Sequence, residues 1–308
     1  MAFVCRFPVR YKNTKGLVVR CGRCIPCRRH KQNQLKNRIL LESYAHEGSC
    51  FITLTYDDKY CPSGLQRTEA QKFMKRLRHH IKKAGLPPIK YFMIGEYGSK
   101  TLRPHYHAIV FGLPECMTNR RLGVKKNMNC RCQTCMVVKQ AWTNGMVDIG
   151  TVTPQSAAYV TGYCTKKGTK SHEEAIKHMP AEFKVESNGL GKKFIEHIKG
   201  YLKSETHTKE LRMVGDVLSH IKISGEVYHF DKYLKDQCRE ILGLKKETPE
   251  HILTSYLRMQ MSEYLEHDGA IDKDLMPDAN TRERTLALMA RQKCREKESR
   301  IALKQSKL

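Results

Sequence analysis

His105 and His107 are separated by one residue inside the run His-Tyr-His-Ala-Ile-Val-Phe-Gly. In an extended chain side chains alternate, so both imidazoles project to one face and Tyr106 to the other. Glu96 follows the apolar run Lys90–Gly95, and a turn-rich stretch joins that run to the histidines. A hairpin would therefore set its carboxylate across from them. Two imidazole nitrogens and one carboxylate leave coordination positions open for substrate. Such a set suits Mn²⁺ or Mg²⁺ held together with phosphate oxygens, although ligand type alone also admits zinc.

A second group with chemical potential lies further on, in Thr153-Pro154 and the following Ala-Ala-Tyr-Val-Thr-Gly-Tyr-Cys-Thr-Lys-Lys. Thr153 as N-cap and Pro154 at the first helical position predict a helix that runs to Gly168. At about 100° per residue, Tyr163 falls roughly 40° from Tyr159, and Lys166 roughly 20° to the other side. Two phenols and one ammonium thus share a stripe. Gly162 weakens such a helix by about 0.5–1 kcal/mol relative to alanine, which is better explained if a backbone or ligand must come close.

The third group is the cysteines, of which there are 13. Cys21, Cys24 and Cys27 have a spacing at which thiolates converge on one tetrahedral ion, and Cys5 can complete a zinc site. Their neighbours Arg20, Arg23, Arg28 and Arg29 favour thiolate over buried thiol. Cys116, Cys130, Cys132 and Cys135 form a possible second zinc site, within a polar stretch that reads as a long loop. Cys50, Cys61, Cys164, Cys238 and Cys294 suggest no role.

The elements that must position these groups are legible in part. Residues 50–55 form a β-branched apolar run, as a buried strand does. A helix follows, with capping-box spacing at Thr68 and Gln71, Phe73, Leu77 and Ile81 on one face, and Gly85 and Pro87 at its end. Lys90–Gly95 and His105–Gly112 read as paired antiparallel strands, and Val147–Val152 as another. The pattern predicts an α+β domain over residues 45–170, with a cysteine-rich insertion at 113–138. Residues 1–44 read as a basic, zinc-binding lobe without apolar periodicity before Leu35, so that the metal must hold it together. Residues 171–308 read as mostly helical, with a loop at Gly189–Gly191, a hairpin or edge strand over Ile221–Phe230 and a basic tail.

The 56 Lys and Arg exceed the 31 Asp and Glu by 25 in 308 residues, which makes nucleic acid the leading partner class. No apolar run approaches the length of a membrane span, and the first residues lack a secretory core, so a cytoplasmic protein is expected. Gly189-Leu190-Gly191-Lys192 does not satisfy the phosphate-loop pattern, which argues against ATP hydrolysis by this chain.

Taken in order, Phe51-Ile-Thr-Leu-Thr55, Gly95-Glu96 with His105-Tyr106-His107, and Tyr159-Val-Thr-Gly-Tyr163-Cys-Thr-Lys166 resemble the three motifs of the HUH endonuclease superfamily. Within it the chain resembles the rolling-circle replication initiators of gokushovirus-type microviruses, to which the Cys21–Arg28 element is also similar. The resemblance spans residues 1–170. It implies a central antiparallel sheet with flanking helices, metal ligands Glu96, His105 and His107, nucleophiles Tyr159 and Tyr163, and Lys166 as their electrostatic partner. It further implies cleavage of single-stranded DNA at a replication origin through a 5′-phosphotyrosine, with Arg20, Arg23, Arg28, Arg29 and Lys167 on the DNA backbone. A host helicase and DNA polymerase are the inferred partners. The rival readings are another HUH nuclease (relaxase or transposase), a non-catalytic zinc-knot protein that binds single-stranded nucleic acid, and a zinc hydrolase, which leaves the tyrosine stripe unexplained.

Overall fold

The computed structural model describes residues 5, 7, 9–10, 18–98, 101–116, 130–162, 174–256 and 293–297. Along the chain run β1 (Val9–Arg10), β2 (Val18–Val19), α1 (Ile25–Tyr44), β3 (Ser49–Thr55), α2 (Arg67–Lys83), β4 (Lys90–Tyr97) and β5 (Pro104–Phe111). Then come α3 (Gln133–Ala141), β6 (Val147–Thr151), α4 (Pro154–Thr161), β7 (Phe183–Glu186), α5 (Lys192–His197), α6 (Lys199–Leu202), α7 (Glu205–Val214), the hairpin β8 (His220–Ile223) and β9 (Glu226–His229), and α8 (Lys232–Ile241). The chain divides into two compact units, one of Gln32–Lys199 with Ile221–Phe230, the other of Met1–Lys31, Gly200–His220 and Asp231–Leu308.

The first unit is built on a five-stranded sheet of order β6-β3-β5-β4-β7, with every pairing antiparallel. This is the α+β architecture that the sequence predicts. One face is apolar: Ile52, Leu54, Met93, Tyr106, Ala108 and Val110 are buried with Phe73, Met74, Leu77 and Ile81 of α2 and Val137, Val138 and Ala141 of α3. Each fully buried Leu, Ile or Phe contributes about 1.5–3 kcal/mol, so this layer dominates the unit's stability. Trp142, at the end of α3, sits among Tyr56, Phe73 and Tyr106 and donates its indole N–H to the Thr55 carbonyl at 3.0 Å. The opposite face carries His105, His107 and Glu96.

Several elements depart from the sequence reading. Residue Gln66, not Thr68, caps α2, without a side-chain bond, although the helix ends as predicted: Gly85 takes φ 69° and Leu86 N–H reaches Ile81 O. Helix α1 starts within the cysteine cluster, so metal is not all that orders residues 1–44. Its first turns are polar on every side and show no 3.6-residue period. Helix α4 ends at Thr161 with Gly162 as an ordinary right-handed C-cap at φ −60°, so no close approach inside a longer helix explains this glycine. Strand β7 and helix α3 are not legible in the sequence. Strand β7 is a four-residue charged edge, Phe-Lys-Val-Glu, and α3 begins inside a cysteine-rich stretch.

Fully buried Glu42 on α1 ties this helix to the sheet and to the loop before α5. Lys90 Nζ and His46 Nε2 lie 2.9 and 3.0 Å from its Oε1, and Gly191 N–H donates to Oε2 at 2.5 Å. Burial alone raises the Glu42 pKa, yet the hydrogen bonds from His46 and Lys90, the Lys90 charge and the Gly191 amide outweigh it and hold the carboxyl below its ordinary value. A depressed carboxylate stabilises the fold above its unfolded pKa of about 4.3 and loses that contribution as pH falls through the folded value. Glu42→Gln is expected to destabilise the protein by about 1.5–3 kcal/mol at pH 7. In thermal melts the gap to wild type should narrow as the pH falls through the acidic range below the ordinary carboxylate pKa. A gap independent of pH contradicts this assignment.

Candidate metal and tyrosine site

The sheet register builds the site. Pairing of β4 with β5 sets Glu96 opposite His105, and pairing of β3 with β5 sets Thr53 opposite His107. Opposed residues share a face, so the four side chains form one polar patch on an otherwise apolar sheet. Glu96 Oε1 lies 3.3 Å from His105 Nε2 and 3.4 Å from His107 Nε2. The three potential ligand atoms all lie within 4.8 Å of one another.

The outer ring nitrogens are held as well. His105 Nδ1 is 3.2 Å from the Arg103 carbonyl oxygen, which can only accept, so Nδ1 carries the proton and Nε2 a lone pair. His107 Nδ1 is 3.0 Å from Thr53 Oγ1, and Phe51 stacks on the His107 ring at 5.5 Å and 8°. Outer hydrogen bonds of this kind orient metal-binding histidines. The donor set therefore fits a divalent cation by its chemistry, and which ion it prefers is not fixed by two nitrogens and one oxygen.

Tyr159 meets this patch from α4. The helix is fixed at its start by a complete capping box between Thr153 and Ser156, and the Gln32 amide donates to the Ala158 carbonyl at 3.0 Å. Tyr159 Oη donates to Glu96 Oε1 at 2.6 Å and lies 3.3 Å from His107 Nε2. Its residue nevertheless remains 45% exposed, so the phenol bridges the donor set and solvent. Burial of the hydroxyl first, then the Glu96 hydrogen bond and charge and the Glu182 charge, raise its pKa well above the ordinary tyrosine value. With three donors and no cation the phenol is held protonated. Positive charge among these donors would oppose each of the electrostatic causes of that shift.

Tyr163, Lys166 and Lys167 lie outside the described residues. Three neighbours of the site are not assigned by the sequence reading: Thr53 and Phe51, quoted only as part of a motif, and Glu182. Glu182, 2% exposed and just before the edge strand β7, accepts the Tyr97 backbone N–H at 3.2 Å. No local pattern announces it, because its place beside β4 depends on that unpredicted strand.

Both cysteine groups also assemble. Cys5, Cys21, Cys24 and Cys27 place their sulfurs within 4.8 Å of one another, as do Cys116, Cys130, Cys132 and Cys135. Thiolates about 2.3 Å from a tetrahedral ion stand about 3.8 Å apart. The Cys5–Cys27 and Cys21–Cys27 separations are 3.5 and 3.9 Å. Buried Cys294 packs against the first group, a placement that the sequence does not suggest. Beside this group, Arg23 and Arg29 are exposed and Arg20 and Arg28 half-buried, with Arg28 Nε donating to Arg23 O at 2.6 Å.

Residues 49–168 match a family model described as a replication-associated protein of the ORF2 type. The chain is 32% identical over 181 residues to replication-associated protein VP4 of Bdellovibrio phage phiMH2K, covering 57% of each chain. It is 31% identical over 208 residues to replication-associated protein ORF2 of Spiroplasma virus 4, covering 64% of each. Identity to replication-associated protein ORF4 of Chlamydia phage 1 is 28% over 233 residues, 74% of this chain and 55% of that one. These matches span less than two thirds of the relatives' own lengths. No solved structure matches the chain. The resemblance to microvirus replication proteins is borne out, and the antiparallel sheet is consistent with the HUH fold. Among the described residues no helix is long and apolar enough to cross a membrane.

If Thr53 orients His107 as a ligand, Thr53→Val removes one hydrogen bond while keeping the shape of the side chain. Loss of such an outer partner weakens metal binding by about 10- to 100-fold. Titration with Mn²⁺ followed by electron paramagnetic resonance is expected to show a weakening in that range. Unchanged affinity contradicts the role.

Proposed function

We propose that this chain, with residues 49–168 matched to the replication-associated protein family, initiates rolling-circle replication of a phage genome as a site-specific single-stranded DNA endonuclease and strand transferase. The observation that carries the reading is the Tyr159 hydroxyl, 2.6 Å from Glu96 Oε1 and 3.3 Å from His107 Nε2. A candidate nucleophile and a candidate cation pocket thus lie within the width of a phosphodiester.

Glu96, His105 and His107 would hold Mn²⁺ or Mg²⁺, which when bound supplies polarisation of the scissile phosphate and offsets charge in the transition state. The protein's own groups do the rest. Tyr159 or Tyr163 attacks phosphorus, a bond forms from the phenol oxygen, and the bond from phosphorus to O3′ breaks. The phenol proton is lost and the departing O3′ gains one, so no nucleotide or redox partner is consumed. The products are a 5′-phosphotyrosine and a free 3′-hydroxyl that can prime a polymerase. Reversal by a later 3′-hydroxyl rejoins the strand. Two tyrosines allow the second cut while the first end is still held, and Lys166 stabilises phenolate or phosphate oxygens.

Zinc at Cys5, Cys21, Cys24 and Cys27 would order the basic lobe, whose Arg20, Arg23, Arg28 and Arg29 bind the DNA backbone together with Lys167. Such contacts make affinity fall steeply with salt. The protein would act in the host cell alongside a host helicase and DNA polymerase.

Incubation of the full chain and Mn²⁺ with a labelled single-stranded origin oligonucleotide is expected to give a covalent adduct stable to denaturant. Tyr159→Phe combined with Tyr163→Phe should abolish the adduct, and Glu96→Ala should reduce its rate at least about 100-fold, the scale of a lost electrostatic contribution. An adduct that survives in the double variant overturns the nucleophile assignment. Binding without any adduct in wild type favours a packaging or binding protein instead.

A further inference from the structure

The second cysteine group differs in chemical character from the site above. It belongs to the apolar face of the sheet, where Cys116, Cys130 and Cys135 are buried in the same cluster as α2 and α3. The histidines face the other way. We propose that Cys116, Cys130, Cys132 and Cys135 are a structural zinc site that fixes α3 beneath the sheet, separate from both the N-terminal cysteine group and the catalytic cation.

Three observations carry this. First, the sulfur geometry fits: Cys116 Sγ and Cys130 Sγ are 3.6 Å apart, too far for a disulfide of about 2.05 Å and close to the edge of about 3.8 Å for a tetrahedral zinc thiolate. Second, backbone amides are aimed at the sulfurs. Cys132 N–H donates to Cys130 Sγ and Cys135 N–H to Cys132 Sγ, each at 3.5 Å. These bonds favour thiolates, and Cys132 is itself the N-cap of α3, so the positive end of the helix adds to the effect. Third, the helix that the group begins is fastened at both ends to the floor of the sheet. Thr134 Oγ1 donates to Pro114 O at 2.8 Å and Gln133 Nε2 to Ala84 O at 3.1 Å. At the far end Arg76 Nε donates to Ala141 O at 2.7 Å, next to the Trp142 bond to β3.

Four sulfurs select a thiophilic ion of tetrahedral preference and reject Mn²⁺ and Mg²⁺, which take oxygen ligands. The protein would thus keep a soft ion under the sheet and a hard one above it. This inference does not depend on any activity toward DNA.

The test is metal content of the full chain purified without chelator, measured by inductively coupled plasma mass spectrometry. Wild type is expected to hold two zinc ions per chain. Cys130→Ser with Cys135→Ser should hold one and melt at a lower temperature. Cys24→Ser with Cys27→Ser should also hold one, which serves where the first variant fails to fold. Replacement of zinc by Co²⁺ in that second variant should give the sulfur charge-transfer and tetrahedral visible bands of a thiolate site. Zinc content unaltered by Cys130→Ser with Cys135→Ser, or no zinc in Cys24→Ser with Cys27→Ser, overturns the proposal.

Discussion

The site depends on the register of β4 against β5. Pairing Glu96 with His105 puts one carboxylate and two imidazoles on the same face, and a slip of one residue would send the carboxylate to the opposite side from the histidines. That register is held mainly from below. Tyr106, between the two histidines in sequence, is wholly buried on the apolar face, where its hydroxyl meets Tyr56 Oη at 3.0 Å and donates to the Gln66 carbonyl at 3.1 Å. Exposing that ring would lose both its burial and its hydrogen bonds. The same residue that separates the imidazoles in sequence therefore anchors both of them in space.

The upper face is polar by contrast, and its polar groups satisfy one another in a chain. Arg103 O holds His105, Thr53 holds His107, and Glu96 accepts the Tyr159 hydroxyl. This arrangement is pre-organised for charge. Three inward-facing donor atoms, one of them on an acid 1% exposed, form a pocket whose negative character keeps the neighbouring phenol protonated. A carboxylate so buried needs a compensating partner. In the proposed reaction the two requirements, neutralising Glu96 and activating the phenol, are met by the same cation.

Much of this is readable from residue types and spacing. The H-x-H pair, the glutamate before the hairpin and the Thr153-Pro154 helix start are local signals, and local signals survive without a fold. The sheet's central strands are likewise legible, because β-branched apolar runs such as Phe-Ile-Thr-Leu-Thr have little alternative. What stays hidden is what depends on tertiary neighbours. Glu182 reaches the site only because the short charged strand β7 adds to an edge. Thr53 gains its role only from lying opposite His107. Helix α1 opens on a stretch containing Arg-Arg-His-Lys-Gln-Asn-Gln, where the polar residues give periodicity nothing to register. Gly162 misleads for the opposite reason: a glycine near the end of a helix and one that admits a ligand look alike in sequence.

The most direct test is the coordination of the hard cation itself. Electron spin echo modulation of the full chain loaded with one equivalent of Mn²⁺ should show two directly bound imidazole nitrogens, and both couplings should vanish in the His105→Ala, His107→Ala double variant. A bound Mn²⁺ that shows no nitrogen coupling, or couplings that persist in the variant, would contradict the account.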